Sequence, residues 1–409
     1  MMDNYELRPI TEDEVYSFQR CFGKAFGHDH HDDEAKLERD LYELGRTLAV
    51  VHERDGVVGT AVSMRRELGI PGGTVPAAHV TLVAVSGTHR RRGLLRRMMT
   101  RQLTDLAGTD EAIAVLWPSE PVIYGRFGYG PATYTLEFHA DNRELALPAA
   151  AEPSGLLREV ELPDALKVLA EVFDAARVDR PGMSGRTPAG WRVVTADLEH
   201  QRHGRSALRT IVHEGPDGPD GYAMFRIERG GDATGPQAVV HVEEAVATNL
   251  DAYRQLWRFL FDIDLTRQVH YDYGVLDEPL RYLVSDPRRL GARLTDGVWL
   301  RILDLPVALA ARSYPVAVDA VLDVTDELLP GNAGRWHLRA AGDELTCERT
   351  DRPADVALSI AELGAAYLGG TSLAALAVAG RVTELRDGAL APLSAAFGWH
   401  REPAAVEVF

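Results

Sequence analysis

Twice along the chain an extended apolar run ends in a short loop and a helical pattern begins, and the two copies align. "AHVTLVAVSGTHRRRGLLRRMM" (residues 78–99) lies over "VHVEEAVATNLDAYRQLWRFLF" (residues 240–261), with His79-Val80 against His241-Val242 and the apolar positions in step. In the first copy Leu94, Leu95, Met98, Met99, Leu103 and Leu106 recur at helical spacing, and Gly108 can stop the helix. A repeated strand–loop–helix unit constrains the fold more than any composition does, because it predicts a duplicated domain. A chance match between two common units is the alternative. The copies part at the loop: Gly93 meets Gln255, and Thr88, His89, Arg90 and Arg91, where the arginine run begins, meet Leu250, Asp251, Ala252 and Tyr253. One copy carries a feature that the other lacks.

The flanking segments extend the parallel. "RTLAVVHERDGVVGTAVS" (residues 46–63) predicts a hairpin across Arg54-Asp55-Gly56, and "ALRTIVHEGPDGPDGYAMFRI" predicts another across a Gly/Pro/Asp turn. A strand over roughly residues 79–86 precedes the first helix, and "EAIAVLWPS" and "YTLEFHAD" predict further strands. Between residues 141 and 155, "DNRELALPAAAEPSG" loses periodicity and marks a boundary. From about Val298 short strands ("VAVDAVLDV", "RWHLRAA", "ELTCERT", "DVALSI") alternate with short helices of small residues. The expected division is residues 1–147, 148–297 and 298–409, consistent with a chain of 409 residues.

Composition sets outer limits. The net charge of −17 argues against nucleic acid as the main partner and suits either a cationic substrate or simple solubility. Apolar runs fall short of a membrane span, and the acidic N-terminus has no signal-peptide core. Two cysteines, Cys21 and Cys347, form neither a disulfide framework nor a paired-thiolate zinc site, and suggest a reducing cytoplasm.

Within this acidic chain, "HRRRGLLRRMM" collects Arg90, Arg91, Arg92, Arg96 and Arg97 around Gly93 where the strand gives way to the helix. The first helical N–H groups have no partner in the helix, and with the helix dipole they form an anion site. Gly93 lets an anion approach the backbone closely. The sum predicts a site for a pyrophosphate-bearing cofactor. A solvated basic face would not explain Gly93 or the preceding apolar strand.

The stretch "VAVSGTHRRRGLL" resembles the acetyl-CoA loop of the Gcn5-related N-acetyltransferases, whose pattern is Arg/Gln-x-x-Gly-x-Gly/Ala after a bulged strand. Here it is Arg90-Arg91-Arg92-Gly93-Leu94-Leu95, with Leu95 in place of the usual small residue. With "SEPVIYGRFGYGPATYTLEFHAD", "GVWLRILDLPVALAARSY", "YLGGTSLAALAVAGRV" and the terminal phenylalanine, essentially the whole chain resembles the Eis (enhanced intracellular survival) acetyltransferases. The resemblance implies an α+β chain: two tandem acetyltransferase-like domains, the second degenerate, then a domain like sterol carrier protein. It further implies acetyl-CoA as donor, direct transfer in a ternary complex to amines of cationic small molecules such as aminoglycosides, and a homohexamer built as a dimer of trimers. Acetylation of protein lysine or another biogenic amine, and a non-catalytic lipid- or CoA-binding protein, are the alternatives.

Residue by residue, the resemblance assigns Val83, Ala84, Val85, Arg90, Arg91, Arg92, Gly93, Leu94, Leu95, Arg96, Ser119 and Glu120 to the cofactor. Tyr124, in "IYGRFGYG", becomes the proton donor to the departing thiolate, with Tyr129 as runner-up. A phenol, ordinarily near pKa 10, suits that task. Outside the resemblance Tyr124 would be an ordinary half-buried tyrosine. Gly125-x-x-Gly128-x-Gly130 does not open a long helix, which argues against a dinucleotide site. The terminal carboxylate of Phe409 becomes the general base. An α-carboxylate ordinarily titrates at about 3.5, so it is expected to act through a water or by orienting the amine. Relatives often carry Glu before the final Phe; here Val408 stands there and Glu407 lies one residue earlier.

"FGHDHHDDEAK" gathers His28, His30, His31, Asp29, Asp32, Asp33 and Glu34. Neighbouring side chains on an extended chain diverge, so no metal is expected there, and none is expected elsewhere in the chain. The resemblance sets Phe26 on the substrate channel, which makes His28 and this acidic loop candidates for its mouth, with Trp117 as a second wall.

Overall fold

The computed structural model describes residues 4–147, 154–342 and 344–409. The boundary expected between residues 147 and 148 therefore falls at the edge of an undescribed stretch. The chain forms two compact units. One comprises the chain up to Thr133 with Gly297–Pro403 and Val408–Phe409; the other comprises Tyr134–Asp296 with Ala404–Glu407.

In the first unit β1 (Tyr5–Arg8), β2 (Thr47–His52), β3 (Gly56–Ile70) and β4 (Gly73–Val85) run antiparallel, each to the next. Two helices, α1 (Val15–Phe26) and α2 (Asp32–Arg39), connect β1 to β2. The Arg54-Asp55-Gly56 hairpin forms as its sequence demands, with Gly56 at φ 70°. After β4 comes α3 (Leu94–Leu106), then β5 (Ile113–Leu116), which pairs parallel with β4. The single turn α4 (Pro121–Tyr124) and β6 (Gly130–Pro131) follow. Helix α3 buries Leu94, Met98, Met99, Leu103 and Leu106 against the sheet. Each such side chain contributes about 1.5–3 kcal/mol by leaving water, which is why the apolar spacing alone located the helix.

The second unit holds β7 (Tyr134–Asp141), β8 (Leu156–Glu159), α5 (Leu162–Arg177), α6 (Pro188–Val194), β9 (Arg209–Gly215) and β10 (Gly218–Glu228). A two-strand ribbon, β11 (Gly231–Asp232) and β12 (Gly235–Pro236), leads to β13 (Ala238–Ala247) and α7 (Leu250–Phe261). Then come β14 (Thr266–Gly274), α8 (Leu280–Leu283) and β15 (Arg293–Asp296). Its sheet runs β8-β9-β10-β13-β14-β7-β15. The first sheet runs β1-β2-β3-β4-β5-β16-β6, where β16 is Trp299–Ile302. Position for position the two orders match, so the repeat seen in the sequence is a duplicated fold. The copies exchange one strand: β7, which continues the first segment of chain, pairs in the second sheet, and β16, which follows the second segment, pairs in the first. Both copies also carry a register shift in the same strand, between Thr60 and Val62 opposite β4 and between Met224 and Phe225 opposite β13.

A third sheet, ordered β19-β18-β17-β20-β21, belongs to the first unit. After α9 (Leu305–Ala311) come β17 (Val318–Thr325), β18 (Gly334–Ala341), β19 (Glu344–Arg349) and β20 (Val356–Ser359). Helices α10 (Ile360–Ala366) and α11 (Leu373–Val378), β21 (Val382–Glu384) and α12 (Leu390–Phe397) complete it. These are the short strands and small-residue helices expected from residue 298 on, except that Trp299–Ile302 joins the first sheet. Among the described residues no helix is long and apolar enough to cross a membrane.

Candidate active site

Strands β4 and β5 pair from Ala77–Ile113 to Val80–Leu116, and there the pairing stops while β4 runs on to Val85. Two features part them. On β5, Trp117 is followed by Pro118, which has no N–H to give a ladder. On β4, Thr60 faces Ala84 and Val62 faces Thr81, so Leu82 and Val83 together oppose Ala61. Leu82 sits at φ 51°, and its carbonyl accepts a 2.7 Å hydrogen bond from Thr60 Oγ1. This bulge leaves backbone of Val83–Val85 unused by a neighbouring strand on the β5 side.

A cavity of about 600 Å³ opens in that gap. Its walls include Val83, Ala84 and Val85 of β4 and Gly93, Leu94, Leu95 and Arg96 at the start of α3. Gly93 caps the helix at φ 76°, and space for a Cβ there is open, so the amides at the helix start face the cavity unshielded. The arginines divide. Arg90, Arg91 and Arg96 line the cavity. Arg92 turns away, donating to the Tyr5 hydroxyl at 2.8 Å and to the Thr88 carbonyl. Arg97 donates to the Tyr5 carbonyl at 3.0 Å. Arg92, expected at the cofactor, is therefore a tie between the loop and β1; a phenol and two carbonyls close by outcompete the open cavity for this pair of guanidinium groups.

The opposite wall comes from Ser119, Glu120, Ile123, Tyr124 and Phe127. Pro121 starts the short α4, which brings Tyr124 onto the cavity with its ring buried. Burial, with Glu120 adding, pushes its phenol up to about 12. Tyr129 is fully buried, outside the lining, with its ring edge-on to Tyr124 at 6.1 Å and its hydroxyl unpartnered. It cannot meet a ligand in the cavity, which leaves Tyr124 as the tyrosine in reach. The turn between them depends on Gly128, at φ 81°; a Cβ there would lie 2.8 Å from Ile360 and 2.9 Å from the Arg301 guanidinium carbon. Arg301, a lone cation inside the apolar strand "WLRIL", is fully buried and bound to both oxygens of Asp326. Nothing in the sequence marked it as a support for the tyrosine turn.

Phe409 contacts β4 and is not among the residues that line the cavity. The terminal oxygen of Phe409 accepts a 2.7 Å hydrogen bond from Thr81 Oγ1, immediately before the bulge. The Phe409 ring meets His79 edge-on at 4.6 Å and packs beside Phe18, Tyr42, Val62 and Met64. Burial, then Arg66, holds the His79 pKa well below its ordinary value, so the imidazole is a neutral partner for the ring. Thr81 and His79 are the residues that sequence reasoning missed. His79 was visible as a repeat landmark, but only tertiary structure brings the chain end to it. Glu407, in the second unit, is held by buried Arg186 at 2.5 Å, and Arg186 also grips Glu244 at 2.8 and 2.9 Å. Burial alone would lower the Arg186 pKa, but Glu244 and Glu407 outweigh it and keep it charged. Glu407 is thus committed to an ion pair.

Phe26 lines the cavity and is 40% exposed. His28 lies elsewhere, on a separate cavity of about 150 Å³ shared with Asp29, His30, Glu34 and Glu38. There burial, then Glu34, raises the Glu38 carboxyl to about 7. Gly27, at φ 76°, ends α1 and turns the chain between Phe26 and His28, which is why adjacent candidates part. Trp117 is half-buried and does not line the cavity.

The matching place in the second unit is filled by the chain itself. The Asn249 side chain accepts from the Ala252 amide and caps α7, and Asp251 accepts from the Ser154 amide and hydroxyl. The structural counterpart of Gly93 is Asn249, the cap of α7. Gln255, which the sequence set against Gly93, lies inside α7 because the second loop is shorter, and it donates to the Ser154 carbonyl. The protein's own carboxylate and amide groups take up the helix start that is open in α3.

Two models described as an acetyltransferase (GNAT) domain match residues 6–132 and 182–302, and a sterol carrier protein domain matches residues 305–406. Fold and matches together define an acetyltransferase of the Gcn5-related class. An uncharacterized N-acetyltransferase of Streptomyces avermitilis is 40% identical over 395 residues, 96% of each chain. The N-acetyltransferase Eis of Mycobacterium tuberculosis is 34% identical over 352 residues, 83% of each chain. The crystal structure of Eis1 from Mycobacterium abscessus superposes with a TM-score of 0.84 at 31% identity, covering 99% of this chain and 100% of that one. The chain belongs to the Eis family of N-acetyltransferases.

Proposed function

We propose that this enzyme transfers the acetyl group of acetyl-CoA directly, in a ternary complex, to an amine of a cationic small molecule such as an aminoglycoside. The observation that carries this is one cavity walled by bulged β4, by the glycine–arginine start of α3 and by Tyr124, with the Phe409 carboxylate bound to the same strand at Thr81. The pyrophosphate of the donor would meet the α3 amides with Arg90, Arg91 and Arg96, and the Val83–Val85 backbone and Ser119–Glu120 would border the pantetheine arm. Arg92 would serve the loop and not the cofactor.

In the reaction the amine lone pair forms the C–N bond and the C–S bond breaks, its electrons leaving with sulfur. Tyr124 gives its proton to that sulfur and is reprotonated from solvent. The amine loses one proton toward the Phe409 carboxylate, through a water. A phenol near 12 stays protonated at every working pH. A thiol ordinarily titrates lower, at about 8.5, so the phenol meets the departing sulfur first as a hydrogen-bond donor, and full handover requires that desolvation in the cavity raise the thiol as well. Phe26 and Glu120 at the cavity suit a cation carried on an apolar frame. The division of the chain at residues 1–147, 148–297 and 298–409 is retained as three functional segments, and assembly as a homohexamer is part of the same proposal. Buried, unpaired Cys21 and Cys347 suit a reducing cytoplasm.

A thiol-release assay with acetyl-CoA and an amine panel tests the substrate class. Release should depend on the amine and be fastest with polycationic amines. Preference for a lysine peptide would favour the protein-directed alternative, and no amine-stimulated release would reject the proposal.

A further inference from the structure

The turn between β2 and β3 and the short turn before the arginine loop meet at three side chains that acetyl transfer does not use. His52 ends β2, Asp55 lies in the hairpin turn, and His89 lies in the 3-10 turn Gly87–His89. His52 Nδ1 is 2.7 Å from Asp55 Oδ2, and His89 Nε2 is 3.3 Å from the same oxygen. The three ligand atoms all lie within 4.8 Å of one another. The side chains of His52 and His89 are 14% and 7% exposed.

Two further observations bear on what this convergence is for. His52 Nδ1 is buried and makes no hydrogen bond, although a carboxylate oxygen is so near. The oxygen lies off the line along which the ring nitrogen would donate or accept. A nitrogen and an oxygen this near without hydrogen-bond geometry can serve as two ligands of a common cation once they part to about 3.3 Å, the spacing that bonds of about 2.0–2.1 Å set in a tetrahedral site. His89, for its part, is oriented from behind. Its Nδ1 is 2.9 Å from the Tyr5 hydroxyl, which is itself fixed by Arg92 at 2.8 Å, and so Nε2 faces Asp55. A partner on the second ring nitrogen is the usual support of a metal-bound imidazole.

We propose that His52 Nδ1, the Asp55 carboxylate and His89 Nε2 form a binding site for a divalent ion of the zinc class. Two imidazoles and one carboxylate suit zinc, cobalt or nickel, whereas calcium and magnesium favour oxygen ligands throughout. The Asp55 side chain is 55% exposed, so the fourth position opens to water. Asp55 also offsets part of the ion's charge. The bound ion ties the β2–β3 turn to the segment from which the arginine loop starts, and His89 lines the cavity. The site therefore stiffens one wall of the cavity without taking part in acetyl transfer.

The test is calorimetric titration of the full chain, stripped with chelator, with zinc chloride, beside His52→Ala and Asp55→Asn. Thermal unfolding reports folding of each variant and gives a second readout. The expected result is one zinc per chain at this site with micromolar or tighter affinity, weakened about tenfold or more in either variant. The midpoint of unfolding should rise with zinc in the unsubstituted chain and hardly at all in the variants, since a ligand bound only to the folded state stabilises it. Millimolar binding, or tight binding unchanged in His52→Ala and Asp55→Asn, would overturn the proposal. In that case the three side chains are a polar contact between two turns and nothing more.

Discussion

Tyr124 shows how environment sets a side chain's work. The residue type permits proton donation, burial beside Glu120 lifts the phenol to about 12, and the cavity makes it reachable. Tyr124→Phe removes one oxygen and leaves the walls intact. Turnover should fall by about 10²–10⁴-fold with acetyl-CoA affinity unchanged; near-normal turnover in steady-state assays would reassign the donor to water. The same shift has a sign in stability. The unfolded phenol loses its proton at about pH 10 and the folded one at about 12, so this contribution is whole below pH 10 and is lost as the pH climbs to 12. Denaturation midpoints in Tyr124→Phe should lose that alkaline decline in proportion. Arg186 is a structural counterpart: it pairs with Glu244 and Glu407 in a buried cluster, where removing one partner of such a pair costs about 3–5 kcal/mol.

At the scale of elements, helix α3 and its counterpart α7 explain why one copy of the duplicated fold has an open anion site. Gly93 stands at φ 76° with open space where a Cβ would be, so any side chain there strains the loop and faces the incoming pyrophosphate. Gly93→Ala should weaken acetyl-CoA binding about tenfold or more in a folded protein, read by calorimetry; unchanged affinity would contradict the assignment. In α7, Asn249 and Asp251 already occupy the helix start. Acetyl-CoA should accordingly bind once per chain, and a measured stoichiometry of two would refute this. The helix, the hairpin turns and the anion loop were legible because each rests on local rules: apolar spacing, Asp-Gly turns, glycine before a helix. The exchange of β7 and β16 between sheets was not legible, since either strand has the apolar alternation to serve in either sheet. The partition of the five arginines was equally hidden, because it depends on where Tyr5 lies, 87 residues from Arg92.

At the scale of the molecule, Phe409 is bound to the first sheet by a side chain: Thr81 to Phe409 is a contact across 328 residues. Sequence pattern alone would treat the end as an apolar tail, and only the family resemblance singled it out. Adding a few residues after Phe409 converts its carboxylate to an amide and keeps every side chain, so catalysis and packing separate. Phe409→Ala, in contrast, removes the ring from its place beside His79, Val62 and Met64, and should lower stability. The most direct measurement is acetyl transfer to a polycationic amine by the unmodified and the C-terminally extended chain in parallel, with product followed by mass and acetyl-CoA affinity determined for both. Transfer by the first, loss of transfer by the second and equal affinity are the predicted results. Equal transfer by both would remove Phe409 from the mechanism, and absence of transfer by either would contradict the account.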